Sequence, residues 1–238
     1  MKTSGVRMLG LFCWVLAGCD FGNSLPSRAE LPIVIHAAAS LKEVVKEVVD
    51  SWRVASGREV TLVFEASSVL GRQIAAGAAV DIFISAAPEW LDLVKPIERF
   101  DWLSNRLVIV VRRDAARLDL ARLTSLALAN EQVPAGKYAR EALAHAKIAL
   151  PTRTLYGASV RDVLSKVSEG GADAGIVYAT DATLDPRVRI AHEFSPATHT
   201  KIVYAAGLLT EHGRDLFDEL RSPTSRARAV ARGFLRLE

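Results

Sequence analysis

The chain has 238 residues, half of them hydrophobic and about a quarter charged, enough for one large domain or two smaller lobes and unlike disordered, collagen-like or disulfide-framework proteins. Lys and Arg number 30 against 27 Asp and Glu, with no dense basic run and no interleaving of basic with aromatic residues, so nucleic acid is not an expected partner. No internal repeat or low-complexity tract divides the chain.

At the N-terminus Lys2 and Arg7 precede an apolar run at 8–17 that ends in Leu16-Ala17-Gly18-Cys19. This is the layout of a secretory signal, too short to span a membrane as a mature helix. The small residues before Cys19 resemble the lipobox of bacterial lipoproteins, which are cut ahead of a diacylated cysteine; an ordinary signal with a chance cysteine is the alternative. The resemblance makes residues 1–18 the signal peptide and Cys19 the lipidated mature N-terminus. Its two or three acyl chains would hold durably where one would be marginal. Asp20 resembles the signal that retains lipoproteins at the inner membrane, so the expected location is the outer side of the cytoplasmic membrane, facing the periplasm or exterior. Residues 19–30 read as a flexible tether. Loss of Lys2, Arg7 and Cys13 with the signal leaves 28 basic against 27 acidic residues and a single cysteine, so no disulfide can form within the mature chain.

Beyond the tether, β-branched runs at 33–36, 61–64 and 81–85 alternate with amphipathic stretches at 41–56, 69–76 and 89–94. Strand and helix taking turns predict an α/β fold with a largely parallel sheet. The apolar run 107–111 predicts another strand, followed by a polar stretch at 112–119 and a new alternating series. A late strand at 202–209 precedes helices from about Gly213 onward. Two sheet-like groups with one late return predict two lobes, the second inserted into the first: lobe one at 31–110 and 203–238, lobe two at 111–202. Arg226, Arg228, Arg232 and Arg236 recur at helical spacing and predict a solvated face.

Four segments share one design, a strand or loop ending in small residues or a hydroxyl just before a helix. They are Ala37-Ala38-Ala39-Ser40, Ala66-Ser67-Ser68, Val133-Pro134-Ala135-Gly136 and Gly157-Ala158-Ser159-Val160. Helix starts carry N–H groups with no intrahelical partner, and small side chains let a ligand approach them. Such ends bind anions. Each segment alone reads as an ordinary helix start; their combination favours an anion site.

Together with Tyr178 in Gly175-Ile176-Val177-Tyr178-Ala179-Thr180-Asp181-Ala182, these segments resemble the molybdate-binding proteins of ABC importers, over nearly all of residues 31–238. The resemblance implies a two-lobed, type II periplasmic-binding-protein fold with the ligand in a cleft between the lobes. It implies that Ser40 and Ser67 donate from lobe one through hydroxyl and backbone N–H, that Ala135 and Val160 donate backbone N–H from lobe two, and that Tyr178 adds its phenolic hydroxyl. The ligand would be molybdate or tungstate, held as the oxyanion with no direct metal ligand, no cofactor would be needed, and the partner would be an ABC permease served by a monomer. A binding protein for sulfate or another small anion is the alternative. Arg72, Lys137 and Arg161 neighbour these segments and could steer an anion or simply be solvated. Asp162 and Glu65 are the acids whose intrusion would alter the selectivity of such a site.

The five histidines lack the short spacing to cysteine or carboxylate partners that a metal centre needs. No Gly-x-Ser-x-Gly elbow, P-loop or His-Glu-x-x-His pattern occurs, so an enzyme is not expected.

Overall fold

The computed structural model describes residues 31–115, 117, 119 and 123–237; the signal, Cys19 and the tether lie outside them. The first strands and helices are β1 (Ile33–Ala38), α1 (Lys42–Ser56), β2 (Val60–Glu65), α2 (Ser67–Ala75), β3 (Ile82–Ser85), α3 (Glu89–Val94) and β4 (Glu98–Leu103). The chain continues through β5 (Leu107–Arg112), β6 (Ser125–Ala129), α4 (Pro134–His145), β7 (Arg153–Gly157), α5 (Val160–Ser168), β8 (Ala174–Tyr178), the short α6 (Ala179–Ala182) and β9 (Val188–Glu193). It returns as β10 (Tyr204–Leu208) and closes with α7 (Arg214–Arg221) and α8 (Pro223–Ala231).

Two five-stranded sheets result, ordered β2-β1-β3-β10-β4 and β7-β6-β8-β5-β9. In each, one strand runs against the others: β10 is antiparallel to both β3 and β4, and β5 to both β8 and β9. The reversed strand holds the fourth place in both sheets, and it is the strand with which the chain enters that sheet after crossing from the other. The protein is therefore a two-lobed α/β fold in which both lobes follow one plan.

The central strands are covered on both faces and read as unbroken apolar runs, as parallel strands between helices must. Leu107, Val108, Ile109 and Val110 of β5 are wholly buried. The helices obey the other period. On α1 the valines Val44, Val45, Val48 and Val49 make one buried stripe, each stabilising by about 1.5–3 kcal/mol relative to exposure. Gly57 stops the helix in the left-handed conformation at φ 71°, its N–H returning to Arg53 O at 2.9 Å, where a side chain would be strained.

The crossing falls between β4 and β5, not after Val110. Residues 107–110 pair with β8 and β9, which corrects their expected place in lobe one. Their apolar pattern suits a central strand of either sheet, so only the pairing decides. At the crossing Ser104 Oγ donates to Ile202 O at 2.6 Å, which ties the outgoing segment to the returning one. The arginine cluster near the C-terminus is also only partly a solvated face, because Arg228 and Arg232 pair with Glu47 on α1 at 4.0 and 2.6 Å.

Candidate functional site

Each of the four small-residue segments follows the end of a strand, where α/β folds place their ligands. β1 leads through a 3-10 turn at Ala39–Leu41 into α1, and β2 leads through Ala66 into α2. In the second lobe Val133 precedes α4, with Pro134 in the first turn where its missing N–H costs nothing, and Ser159 caps α5 by accepting from Asp162 N. The ends face one another across the two lobes. Ser40 and Ser67 from one side and Ala135, Val160 and Tyr178 from the other line a single cavity. All five residues named from the sequence thus meet at one place.

The cavity is small. A water centre has about 20 Å³ in which to move; adding the water's own radius of about 1.4 Å gives a hole of roughly 3 Å radius. That is room for one atom with four oxygens around it. Its lining is also one-sided in chemistry, because Tyr178 is the only titratable residue among the lining residues. Ala135 sits in the first turn of α4 and Val160 opens α5, so their N–H groups have no helical carbonyl to meet and helix dipoles favour negative charge before them.

The three hydroxyls are arranged to donate. Ser67 Oγ accepts the N–H of Ala86 at 2.9 Å, which leaves its own proton for the cavity. Tyr178 is buried, and its Oη finds no partner among the described residues. Burial pushes its pKa well up, with Tyr204, Tyr138 and Asp181 adding to the effect, so the phenol keeps its proton. Its ring is held edge-on to Tyr204, centroids 5.9 Å apart. Unsatisfied buried hydroxyls are costly, and an oxyanion in the cavity would satisfy this one.

Neither suspected acid enters. Glu65 is exposed, while Asp162 accepts from Ala158 N at 2.9 Å and pairs with Lys166 at 2.5 Å. Gly136, by contrast, is small for packing: a Cβ there would stand 2.2 Å from Asn130 O.

Arg72, Lys137 and Arg161 are not free solvated cations. Each reaches across the lobes: Arg72 to Gln132 at 2.8 Å, Lys137 to Glu89 at 2.8 Å, and Arg161 to Glu43 at 2.5 Å. Tyr138 on α4 adds a hydrogen bond to Ala86 O at 3.3 Å. The lobes are thus latched together around the cavity.

The pattern of the bacterial extracellular solute-binding proteins matches residues 33–235. The chain belongs to that family. It is 31% identical over 221 residues to the putative ABC transporter substrate-binding lipoprotein YvgL of Bacillus subtilis, covering 84% of both chains. It is 30% identical over 226 residues to the molybdate-binding protein ModA of Escherichia coli, covering 85% of this chain and 87% of the relative. The periplasmic molybdate-binding protein of Azotobacter vinelandii superposes with a TM-score of 0.75 at 20% identity, over 87% of this chain and all of the other.

For a solute-binding protein the residues behind the cavity matter as much as those lining it, and several were not visible as a pattern in the sequence. Asn105 and Tyr204 stand 99 positions apart and meet at 3.2 Å. Asp181 is completely buried against Arg161 Nε at 2.6 Å. Burial raises its pKa to about 6, with Arg161 holding it down by charge and hydrogen bond. No local spacing predicts such pairs: the lobe crossing brings Asn105 to Tyr204, and the packing of α5 on α6 within lobe two brings Arg161 to Asp181.

Proposed function

We propose that this solute-binding protein captures molybdate or tungstate in the interlobe cavity and delivers it to the permease of an ABC importer. One observation carries the reading: a cavity of the size of a single tetrahedral oxyanion is lined by N–H and O–H donors and by no carboxylate. Ser40 and Ser67 bind from lobe one, and Ala135, Val160 and Tyr178 from lobe two. A ligand held by both sides favours the closed arrangement, which the permease can read. The moving units are the two sheets with their helices, lobe one at 31–104 and 204–237 and lobe two at 107–194. The name of the Escherichia coli relative supports the choice of anion, and the lipoprotein named among the relatives supports a signal peptide at 1–18 and an anchor at Cys19. The protein works as a monomer on the outer side of the cytoplasmic membrane and catalyses no reaction.

Size and protonation set the order of preference. Donors fixed on two lobes cannot all contract onto sulfate, whose oxygens lie closer to the central atom. Phosphate carries a proton for much of the time near neutral pH, and a donor set against donors leaves both unpaired, a mismatch that can discriminate by about 10⁴-fold. Calorimetry at neutral pH with the four anions tests this. Molybdate and tungstate should bind far better than sulfate, with phosphate worst or absent; equal affinity for sulfate or phosphate would refute the assignment.

A further inference from the structure

Behind Ser40 lies a chain of hydrogen bonds that runs from Asn105 through Tyr204 to the serine hydroxyl. Asn105 Oδ1 accepts the N–H of Arg106 at 2.9 Å, which fixes the amide so that Nδ2 faces the other way. Both Nδ2 protons are then committed, one to Thr180 Oγ1 at 2.9 Å and one to Tyr204 Oη at 3.2 Å. Tyr204 Oη accepts there, and its remaining contact among the described residues is Ser40 Oγ at 3.1 Å. Its proton must go to that oxygen. Ser40 Oγ, having accepted, turns its own proton toward the cavity it lines. All four residues are buried, although Ser40 and Thr180 also border a second cavity beside Glu43 and Arg161, and an unpaired group here would be costly.

Resting on the anion-binding reading above, we infer that Asn105 and Tyr204 are positioning residues that hold Ser40 as an obligatory donor and thereby exclude protonated oxyanions. A serine hydroxyl left to itself rotates, donating to a bare oxygen or accepting from a protonated one. Such a serine could welcome hydrogen phosphate as readily as molybdate. With Tyr204 donating from behind, Ser40 can accept its ligand's proton only by turning its own proton away from the cavity, where its one hydroxyl neighbour among the described residues, Tyr204, already donates to it. Selection by charge state is therefore built outside the ligand's reach, in a side chain of lobe one and one at the crossing between lobes. The relay is indifferent to size, because molybdate and sulfate both arrive without protons.

That indifference supplies the test. Tyr204→Phe removes one oxygen and keeps the ring that packs against Tyr178 and Phe234, centroids at 5.9 and 5.4 Å. Affinities of wild type and variant for molybdate, sulfate and phosphate are measured by calorimetry from pH 6 to 8. The variant should lose molybdate and sulfate affinity in parallel while the molybdate-to-phosphate ratio falls by roughly tenfold or more, about what one directed hydrogen bond is worth. The ratio should fall most at the lower pH, where phosphate is more protonated. Asn105→Ala, which frees Tyr204 Oη, should lower the same ratio and serves if the first variant does not fold. A uniform loss for all three anions, with every ratio unchanged, would show that the pair only supports the fold and would overturn the inference. A wild type that binds molybdate no better than phosphate would instead overturn the function proposed above, and the relay with it.

Discussion

Arg161 grips Glu43 with both arms, Nη1 to Oε1 at 3.2 Å and Nη2 to Oε2 at 2.5 Å. The arginine follows Val160 at the start of α5, and the glutamate lies three residues after Ser40, so the pair joins the lobes beside two of the proposed ligand donors. Burial pushes the Glu43 carboxyl upward, but Arg161 outweighs it and the net shift is down. The carboxylate is thus ionised at neutral pH and the pair is intact when the lobes are closed.

A closure latch acts mainly on escape. Glu43→Gln keeps the shape and removes the charge, and a paired, partly buried arginine contact is worth more than an exposed one. Dissociation of molybdate should speed up by about tenfold with little change in the rate of association. Stopped-flow tryptophan fluorescence reads both rates; an unchanged dissociation rate would remove Glu43 from the closure mechanism.

The hydroxyls at the cavity give a second expectation. Ser40→Ala, Ser67→Ala and Tyr178→Phe each delete one donor to a charged oxygen, at about 1.5–3 kcal/mol, or ten- to a hundredfold in affinity. Thermal unfolding in the absence of ligand should change little for Tyr178→Phe, whose hydroxyl has no partner among the described residues. Calorimetry showing wild-type affinity in all three variants would reject the assignment.

How much of this was legible beforehand depends on range. Ser40, Ser67, Ala135 and Val160 each sit within a few residues of a strand end and a helix start, and such junctions leave a local signature of small residues and hydroxyls. Tyr178 came from its motif. The boundary at Val110 failed because residues 107–110 have the same apolar pattern that either sheet demands, and pairing partners about 70 residues away made the choice. Asn105, Tyr204 and the Arg161–Asp181 contact were illegible for a related reason: each polar group is satisfied by a partner distant in sequence, across the lobe crossing for the first pair and on the neighbouring helix of lobe two for the second. Arg161 was noticed for its charge alone, yet its work is to bind Glu43 and Asp181.

Cys19 carries a third expectation. If its thiol is acylated, Cys19→Ser should appear in the soluble fraction of cells from which the wild type sediments with membranes, since no second chain replaces the lost anchor. The domain from residue 31 onward should still bind molybdate. Equal sedimentation of the variant would exclude lipid anchoring at this residue.

Asp181 makes the fourth expectation, one of pH. In the unfolded chain its carboxyl titrates near the ordinary value of about 4, whereas burial in the fold, only partly offset by Arg161, raises it to about 6. Between those values the folded protein retains a proton that the unfolded chain has lost. The stability contributed by this group is therefore complete below about pH 4 and declines as the pH rises to about 6. Asp181→Asn has no proton to lose and should lack the decline. Urea unfolding at steps from pH 4 to 7 should show the wild type losing about 3 kcal/mol relative to the variant across that window, at 1.36 kcal/mol for each pH unit. Glu43 titrates in both proteins with the opposite slope, so the difference between the curves isolates Asp181. Parallel curves would mean that Arg161 keeps Asp181 ionised throughout, and that the buried pair behaves as a permanent salt bridge rather than a titrating one.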